Sequence, residues 1–539
     1  MGMLRGLALA FCVSFFSCYL AMVSSDVASS DGDGDGDGDG FLQCLREKIP
    51  RELVYTQSSS NFTDVLVSSI KNPRFFTNAT ARPLCIVTPG DASHVQAAVV
   101  CGRMQGVRLR VRSGGHDYEG LSYRSARPSE VFAVVDVGAS LQAVRVNRLE
   151  STAWVDSGAT IGELYYAIAK NDSLVAFPAG ECTTVGVGGH FSGGGIGMMM
   201  RKHGLAVDRI VDAKLVNADG DLLDRAGMGE DLFWAIRGGG GGSFGVVLSW
   251  KVQLVNVPPT VTVFNIGKTV DQGAVDILTR WQDVAPSLPS DLTIRVIVQQ
   301  GQQALFQGQY LGACGALVET MGEQFPELGM TSADCQQMTW LQSAATPFIS
   351  FSSNGTLEEV LLNRTASLST STKGKSDYVR RAITKAAWEE IFSRWFAMDG
   401  AGRLILEPHG GFMDTIPAAA TPYPHRNGVL YVIQYIAFWQ QQGEGGAAAK
   451  SWIGGLYDFM GQHVSKNPRR AYVNFRDLDI GRNDDDGTFD FENGPLWGER
   501  YFVGNYRRLA SVKSGVDPTN YFRNEQSIPP LIETTTQVI

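Results

Sequence analysis

Gly180-Glu-Cys-Thr-Thr-Val-Gly-Val-Gly-Gly-His-Phe-Ser-Gly-Gly-Gly-Ile-Gly197 holds too many glycines to form a regular element. Such a run instead lets the backbone lie close against something planar or phosphorylated, because no Cβ stands in the way. Two further runs repeat the theme. Arg112-Ser-Gly-Gly-His-Asp-Tyr-Glu-Gly120 directly follows a stretch that reads as a strand. Paired glycines there can bring N–H groups close to an anion, which suits a pyrophosphate. Phe233-Trp-Ala-Ile-Arg-Gly-Gly-Gly-Gly-Gly-Ser-Phe-Gly245 leads into another strand, and the apolar residues on both sides argue against a low-complexity linker. Much of the glycine in the chain, 61 residues of 539, sits in these three runs.

Outward from the runs, short β-rich stretches alternate with helical ones. Residues 84–87, 107–111, 131–137 and 153–155 read as strands. Asp91 or Ser93 caps a helix with its body over 94–104, and Thr160 caps another over 161–170. Asn217-Ala-Asp-Gly220 is a hairpin turn between strands at 210–216 and 222–223. A mixed α+β architecture follows. After Pro258-Pro259 the texture changes: strand-like runs at 292–298 and 429–436 alternate with helical segments such as 388–395, which points to a second domain built on an antiparallel sheet. From Tyr472 the tail is loop-rich and aromatic and is expected to pack back on the first domain. The expected divisions are 41–257, 258–470 and 471–539.

Length and composition set the frame. A chain of 539 residues is too long for one ordinary core, and 44% hydrophobic with 19% charged residues describes a folded protein. The net charge of -9, with no basic cluster, gives nothing for nucleic acid to bind. Arg5 precedes an apolar run over 7–23, followed by Ser24 and Ser25, so residues 1–25 read as a secretory signal peptide. No later stretch is long and apolar enough to cross a bilayer, and no membrane partner is expected. Residues 31–40 alternate Asp and Gly. They lack the apolar positions of a calcium-binding roll, so 26–40 reads as a disordered, charged linker, and no metal site is expected. Once Cys12 and Cys18 leave with the signal, Cys44, Cys85, Cys101, Cys182, Cys314 and Cys335 remain. In an oxidising compartment they allow three disulfides in several connectivities. Asn61, Asn78, Asn171, Asn354 and Asn363 open glycosylation sequons consistent with that compartment.

Taken together, the three glycine runs closely resemble the FAD-binding domain of the berberine bridge enzyme-like oxidoreductases of plants, within the vanillyl-alcohol oxidase superfamily. The resemblance covers essentially the whole chain after the linker. It includes Phe41-Leu-Gln-Cys-Leu near the start and Asp517-Pro-Thr-Asn-Tyr-Phe-Arg-Asn-Glu-Gln-Ser-Ile-Pro-Pro530 at the end. Thr152-Ala-Trp-Val-Asp-Ser-Gly-Ala, Phe325-Pro-Glu-Leu-Gly-Met and Ser465-Lys-Asn-Pro-Arg469 are most similar to the group 4 grass-pollen allergens. The resemblance implies a two-part, PCMH-type FAD-binding domain and a substrate domain whose antiparallel sheet is covered by helices. It implies FAD held by two covalent bonds, from His116 to the 8α-methyl carbon and from Cys182 to C6. Arg112, Ser113, Gly114 and Gly115 would meet the pyrophosphate through backbone N–H groups, and Val185, Gly186, Gly189, His190 and Gly193 would complete the cofactor site. Tyr118 would line the substrate side. Cys44 would pair with Cys101, Cys314 and Cys335 are expected to form a second bridge, and Cys85 would be left as a buried thiol.

The same resemblance assigns Val185 a part in oxygen access: a valine there goes with O₂ reaching the reduced flavin, bulkier residues with poor oxygen reactivity. The substrate side departs from the family. Many members carry Tyr-x-Asn-Tyr-Arg-Asp, whose second tyrosine takes the substrate proton while hydride goes to flavin N5. Here the segment is Tyr472-Val-Asn-Phe-Arg-Asp477, and Phe475 cannot ionise. General base catalysis is worth about 10²–10⁴-fold, so another group or water replaces it, or turnover is slow or lost. Arg295, retained, needs an anion in place of the missing phenolate, such as substrate or a nearby carboxylate. Ile196 and Val432 also differ from relatives that oxidise lignin alcohols, whereas Gln434 is kept and can hydrogen-bond a hydroxyl-rich substrate. The expected protein is a secreted monomer that oxidises an alcohol or anomeric hydroxyl, of a small molecule or oligosaccharide, with O₂ as acceptor and H₂O₂ as product. A monolignol-type oxidoreductase and a flavin-bearing, low-turnover interaction protein are the alternatives.

Overall fold

In the computed structural model, which describes residues 37–346, 355–365, 370–440, 445–483 and 497–531, the strand expected at 84–87 forms as Cys85–Val87. It is the second strand of a four-stranded sheet ordered Val54–Thr56, Cys85–Val87, Phe132–Asp136, Arg108–Arg112. The last two run parallel, and Phe132–Asp136 is also parallel to Cys85–Val87. The helix Ala92–Met104 makes the crossover, capped by Asp91, whose carboxylate accepts from the N–H groups of Ser93 and His94. A five-stranded antiparallel sheet follows, ordered Val144–Asn147, Thr152–Asp156, Val246–Gln253, Ile210–Val216, Leu222–Leu223. The helix Ile161–Asn171 packs beside it and starts at Thr160 in a full capping box with Glu163.

The expected linker ends earlier than the Asp-Gly alternation. The helix Asp37–Lys48 takes in its last residues. Weak intrinsic propensity is overridden there by packing: Phe41 and Leu45 are wholly buried, and Cys44 is bonded to Cys101 on the neighbouring helix. The expected signal peptide, the rest of the linker and the Asn354 sequon lie outside the described residues. The second disulfide joins Cys314 and Cys335, while Cys85 is a buried free thiol whose pKa burial pushes up to about 12.

The remaining large element is a seven-stranded antiparallel sheet, ordered Gln336–Met338, Val261–Thr269, Gln303–Tyr310, Leu292–Gln299, Arg403–Pro408, Tyr431–Gln440, Thr370–Val379. Successive residues of a strand point to opposite faces, and the two faces of this sheet differ in chemistry. One carries Ile294, Val296, Leu404, Leu406, Ile433 and Tyr435 into an apolar core with the helices Ala274–Val284, Lys385–Glu390 and Gly445–Met460. The other carries Arg295, Gln307, Glu407, Gln434 and Ser376. The helix expected at 388–395 is α-helical only to Glu390. It widens into a π turn over Ile391–Trp395, where Ile391, Phe392, Trp395 and then Phe396 are all buried.

The C-terminal segment returns to the first sheet, and it is more helical than expected, with helices at Trp497–Phe502 and Tyr506–Val516. Glu525 pairs with Arg110 at 2.9 Å, and the buried Lys513 ammonium donates to the carbonyls of Ser243 and Phe522 and to Asp517.

Candidate active site

The strand Arg108–Arg112 ends in a guanidinium that is consumed by the fold. Arg112 donates to Asp136 at 2.6 Å and to the carbonyls of Leu66 and Val65 at 2.7 and 2.8 Å. Ser113 Oγ donates to the Ser157 carbonyl at 2.6 Å. The glycines beyond divide into two kinds. A Cβ on Gly114 would strike the Gly186 backbone, one on Gly186 would strike Ser113, and one on Gly115, which has φ +68°, would strike the Ser69 carbonyl. Gly114 and Gly186 let the first and second runs lie backbone against backbone, and Gly115 lets the first run pass against Ser69. Gly189, by contrast, is exposed, and a Cβ there would meet nothing within 4 Å, as at Gly240 and Gly242 of the third run. Gly240 N–H donates to the Ser192 carbonyl at 2.9 Å, so the third run sits against the second. The open glycine positions form the side of the cradle that can face a ligand.

His116 and Cys182, from different runs, converge on one hydroxyl. His116 Nε2 lies 3.0 Å and Cys182 Sγ 3.6 Å from Thr184 Oγ1. Cys182 is exposed and unpaired. Burial, reinforced by the Lys71 ammonium, lowers the His116 pKa to about 4, so the imidazole is neutral and its lone pair is available. His190 is held by its neighbours: its Nε2 accepts from Gly180 N–H at 2.9 Å, and its carbonyl accepts from Asn474 at 2.9 Å. Burial lowers its pKa to about 4 as well, which leaves a neutral ring protonated on Nδ1. Val185 lies in the same turn, its N–H on the Cys182 carbonyl at 3.1 Å.

The residues beside the two attachment candidates reach the polar face of the large sheet. Tyr118 accepts a hydrogen bond from the Gln434 amide at 2.7 Å. Glu181, next to Cys182, forms a close ion pair with Arg295. Arg295 also lies 3.9 Å from Glu407 and donates to Gln307 at 3.0 Å. The anion that the sequence called for is therefore a pair of carboxylates, and neither Glu181 nor Glu407 was singled out from sequence. Thr184 and Lys71 were likewise missed; only Glu181 and Thr184 could have been traced, through their places in the glycine run around Cys182.

Phe475 stands edge-on to Tyr118, with centroids 6.3 Å apart, and edge-on to Tyr472 at 5.0 Å. The rest of its segment is anchored on both sides. Tyr472 OH accepts from Gly195 N–H at 2.9 Å, and Arg476 pairs with Asp117 at 2.9 Å. Asp477 bridges the buried Lys373 and Lys375 of the edge strand at 2.6 and 2.8 Å. A Cβ on Gly193 would collide with Asn474, so this glycine serves that docking. Ile196 and Val432 are buried.

Comparison with known proteins matches residues 83–225 to a family described as FAD binding domain and residues 471–529 to one described as berberine and berberine like. Berberine bridge enzyme-like Cyn d 4 of Cynodon dactylon is 52% identical over 527 residues, covering 97% of this chain and 98% of its own. The chain belongs to the berberine bridge enzyme-like family of FAD-dependent oxidoreductases. Tetrahydroberberine oxidase of Berberis wilsoniae is 45% identical to this family member over 96% of the chain and 97% of its own length. Among solved structures, wild-type Phl p 4.0202, described as a glucose dehydrogenase, superposes with a TM-score of 0.88 at 52% identity, covering 92% of this chain and all of that one. A double variant of Phl p 4 that replaces isoleucine by valine and, five residues on, asparagine by histidine is described as a glucose oxidase. The berberine bridge enzyme-like fold thus brings this chain FAD-dependent oxidoreductase chemistry and a mixed α+β architecture.

Proposed function

We propose that this enzyme is a secreted sugar oxidase that carries FAD on two covalent bonds and oxidises an anomeric hydroxyl. The observation that carries the reading is the convergence of the neutral His116 imidazole and the free Cys182 thiol on Thr184. The flavin 8α-methyl and C6 positions belong to the same benzenoid ring, so two nucleophiles gathered at one hydroxyl suit them. The backbone N–H groups of Arg112 to Gly115 would hold the pyrophosphate, and Gly189 with the Gly240 and Gly242 positions would border the cofactor. Bound there, the flavin supplies a two-electron acceptor for hydride. Residues 41–257 would form the cofactor part, 258–470 the substrate part, and 471–539 the returning segment.

Sugar as substrate is supported by the glucose dehydrogenase relative and by the polar sheet face, where Gln434, Tyr118 and Glu407 offer both donors and acceptors to a polyol. Oxygen as acceptor is supported by Val185 and His190. They stand in the same order and spacing as the valine and histidine of the Phl p 4 glucose oxidase variant. Secretion is supported by the two disulfides and by exposed sequon asparagines at Asn61, Asn78 and Asn171.

The experiment is direct. Purified protein should be yellow, the colour should remain with the acid precipitate, and anaerobic D-glucose should bleach it. Colour released to the supernatant would overturn the covalent linkage. Bleaching by neither sugars nor coniferyl-type alcohols would instead favour a low-turnover flavoprotein, a reading supported by the lack of an ionisable group at Phe475.

A further inference from the structure

We infer that Glu407 is the catalytic proton acceptor for the substrate hydroxyl, standing in for the tyrosine that Phe475 does not supply. The inference rests on the oxidoreductase reading above. Its first support is position. Glu407 lies on Arg403–Pro408, paired with Val432 on one side, and the preceding residue, Leu406, is paired with Val296, next to Arg295, on the other. Ile405 pairs with Gln434, so Glu407 and Gln434 are diagonal neighbours on one face of the sheet, about 7–8 Å apart by strand geometry. Gln434 in turn holds Tyr118, two residues from His116. Glu407 therefore borders the space between the sheet and the attachment residues.

Its second support is charge. Arg295 is the one cation that faces it among the described residues, and that guanidinium is already closely paired with Glu181. Two carboxylates share one guanidinium, so the cluster carries a surplus negative charge that a single proton neutralises. Glu407 is the carboxylate farther from the cation, at 3.9 Å, and its side chain keeps 16% exposure, so it is neither locked nor sealed.

Its third support is what the neighbours cannot do. Tyr118 and Tyr472 face Glu407 from the first glycine run and the C-terminal segment, and burial pushes both phenols well up, so both remain donors at neutral pH. His190 is neutral with its Nε2 occupied. Gln434 does not titrate. Glu407 alone among these groups lies near neutrality: burial, with Glu181 adding to it and Arg295 opposing it, raises its pKa to about 7. A base matched to the operating pH is the efficient one.

The step balances. The substrate O–H proton passes to Glu407, and the O–H electron pair becomes the second C–O bond. The carbon-bound hydrogen leaves with its pair as hydride to the oxidised flavin, and an anomeric hydroxyl becomes a lactone. Glu407 then returns its proton to water.

The test uses holoenzyme carrying Glu407→Gln or Glu407→Asp, with covalent flavin content and circular dichroism confirming the fold. Anaerobic bleaching by D-glucose is followed across neutrality, and binding of the unreactive 1,5-anhydroglucitol is read from the flavin spectrum. An infrared titration follows the protonated-carboxyl stretch. The wild type should bleach faster as pH rises through about 7. Glu407→Gln should slow bleaching roughly 10²–10⁴-fold, lose that inflection and the titrating band, and bind the analogue within a few-fold of wild type. Glu407→Asp should keep the inflection at an intermediate rate. Wild-type rates in Glu407→Gln, or an inflection and band that persist there, would overturn the assignment alone. A wild type that no donor bleaches would overturn the oxidoreductase reading and this assignment with it.

Discussion

The side-chain amide of Gln434 donates to the Tyr118 hydroxyl at 2.7 Å and so ties the large sheet, one strand in from its edge, to the loop that carries His116. Gln434→Leu removes that donor while nearly preserving volume. A half-buried phenol then loses a partner, which costs about 1 kcal/mol. Thermal melting should fall modestly. The KM for sugar should rise several-fold with kcat less affected, since the amide positions rather than reacts.

Thr184→Val keeps the shape and deletes the hydroxyl that His116 and Cys182 share. The fold should be retained, while the fraction of protein whose colour stays with an acid precipitate should fall below wild type. The Cys182 linkage, read as the 6-S-cysteinyl absorption, should suffer along with it.

Opposite pH shifts are expected around Arg295. Its guanidinium favours the charged form of Glu407, so Arg295→Met should move the inflection in the bleaching rate upward from about 7. Glu181 disfavours that charge, so Glu181→Gln should move the inflection downward. Rates at successive pH values with the flavin in single turnover measure both.

Val185→Ile enlarges a side chain in the turn beside Cys182. Reoxidation of the reduced flavin in air should slow by at least tenfold while anaerobic bleaching by sugar is nearly unchanged. Stopped-flow absorbance separates the two half-reactions.

Local chemistry wrote much of the fold into the sequence. Asp91 and Thr160 announce their helices because their side chains answer N–H groups within three residues. The glycine runs were legible for the same reason, although Gly114 and Gly186 turn out to meet each other. The gap at Phe475 was visible because one hydroxyl is missing from a short motif. Its apparent remedy was not, because Glu407 reaches Arg295 through strand pairing across more than a hundred residues of chain, and no local pattern marks a carboxylate for that register. The helix Asp37–Lys48 was not legible, and its first residues read as linker, because a disulfide and two buried side chains outweigh the preferences of Asp and Gly.

The docking of Tyr472, Asn474, Arg476 and Asp477 onto Gly195, His190, Asp117 and the two edge-strand lysines sets a timetable for biosynthesis. Each partner is translated well before these four residues leave the ribosome, so the cleft stays unfinished until almost the last stretch of chain is made. Cofactor capture then becomes a post-translational event. A nascent chain stalled before Tyr472 should emerge with its sheets formed and without colour.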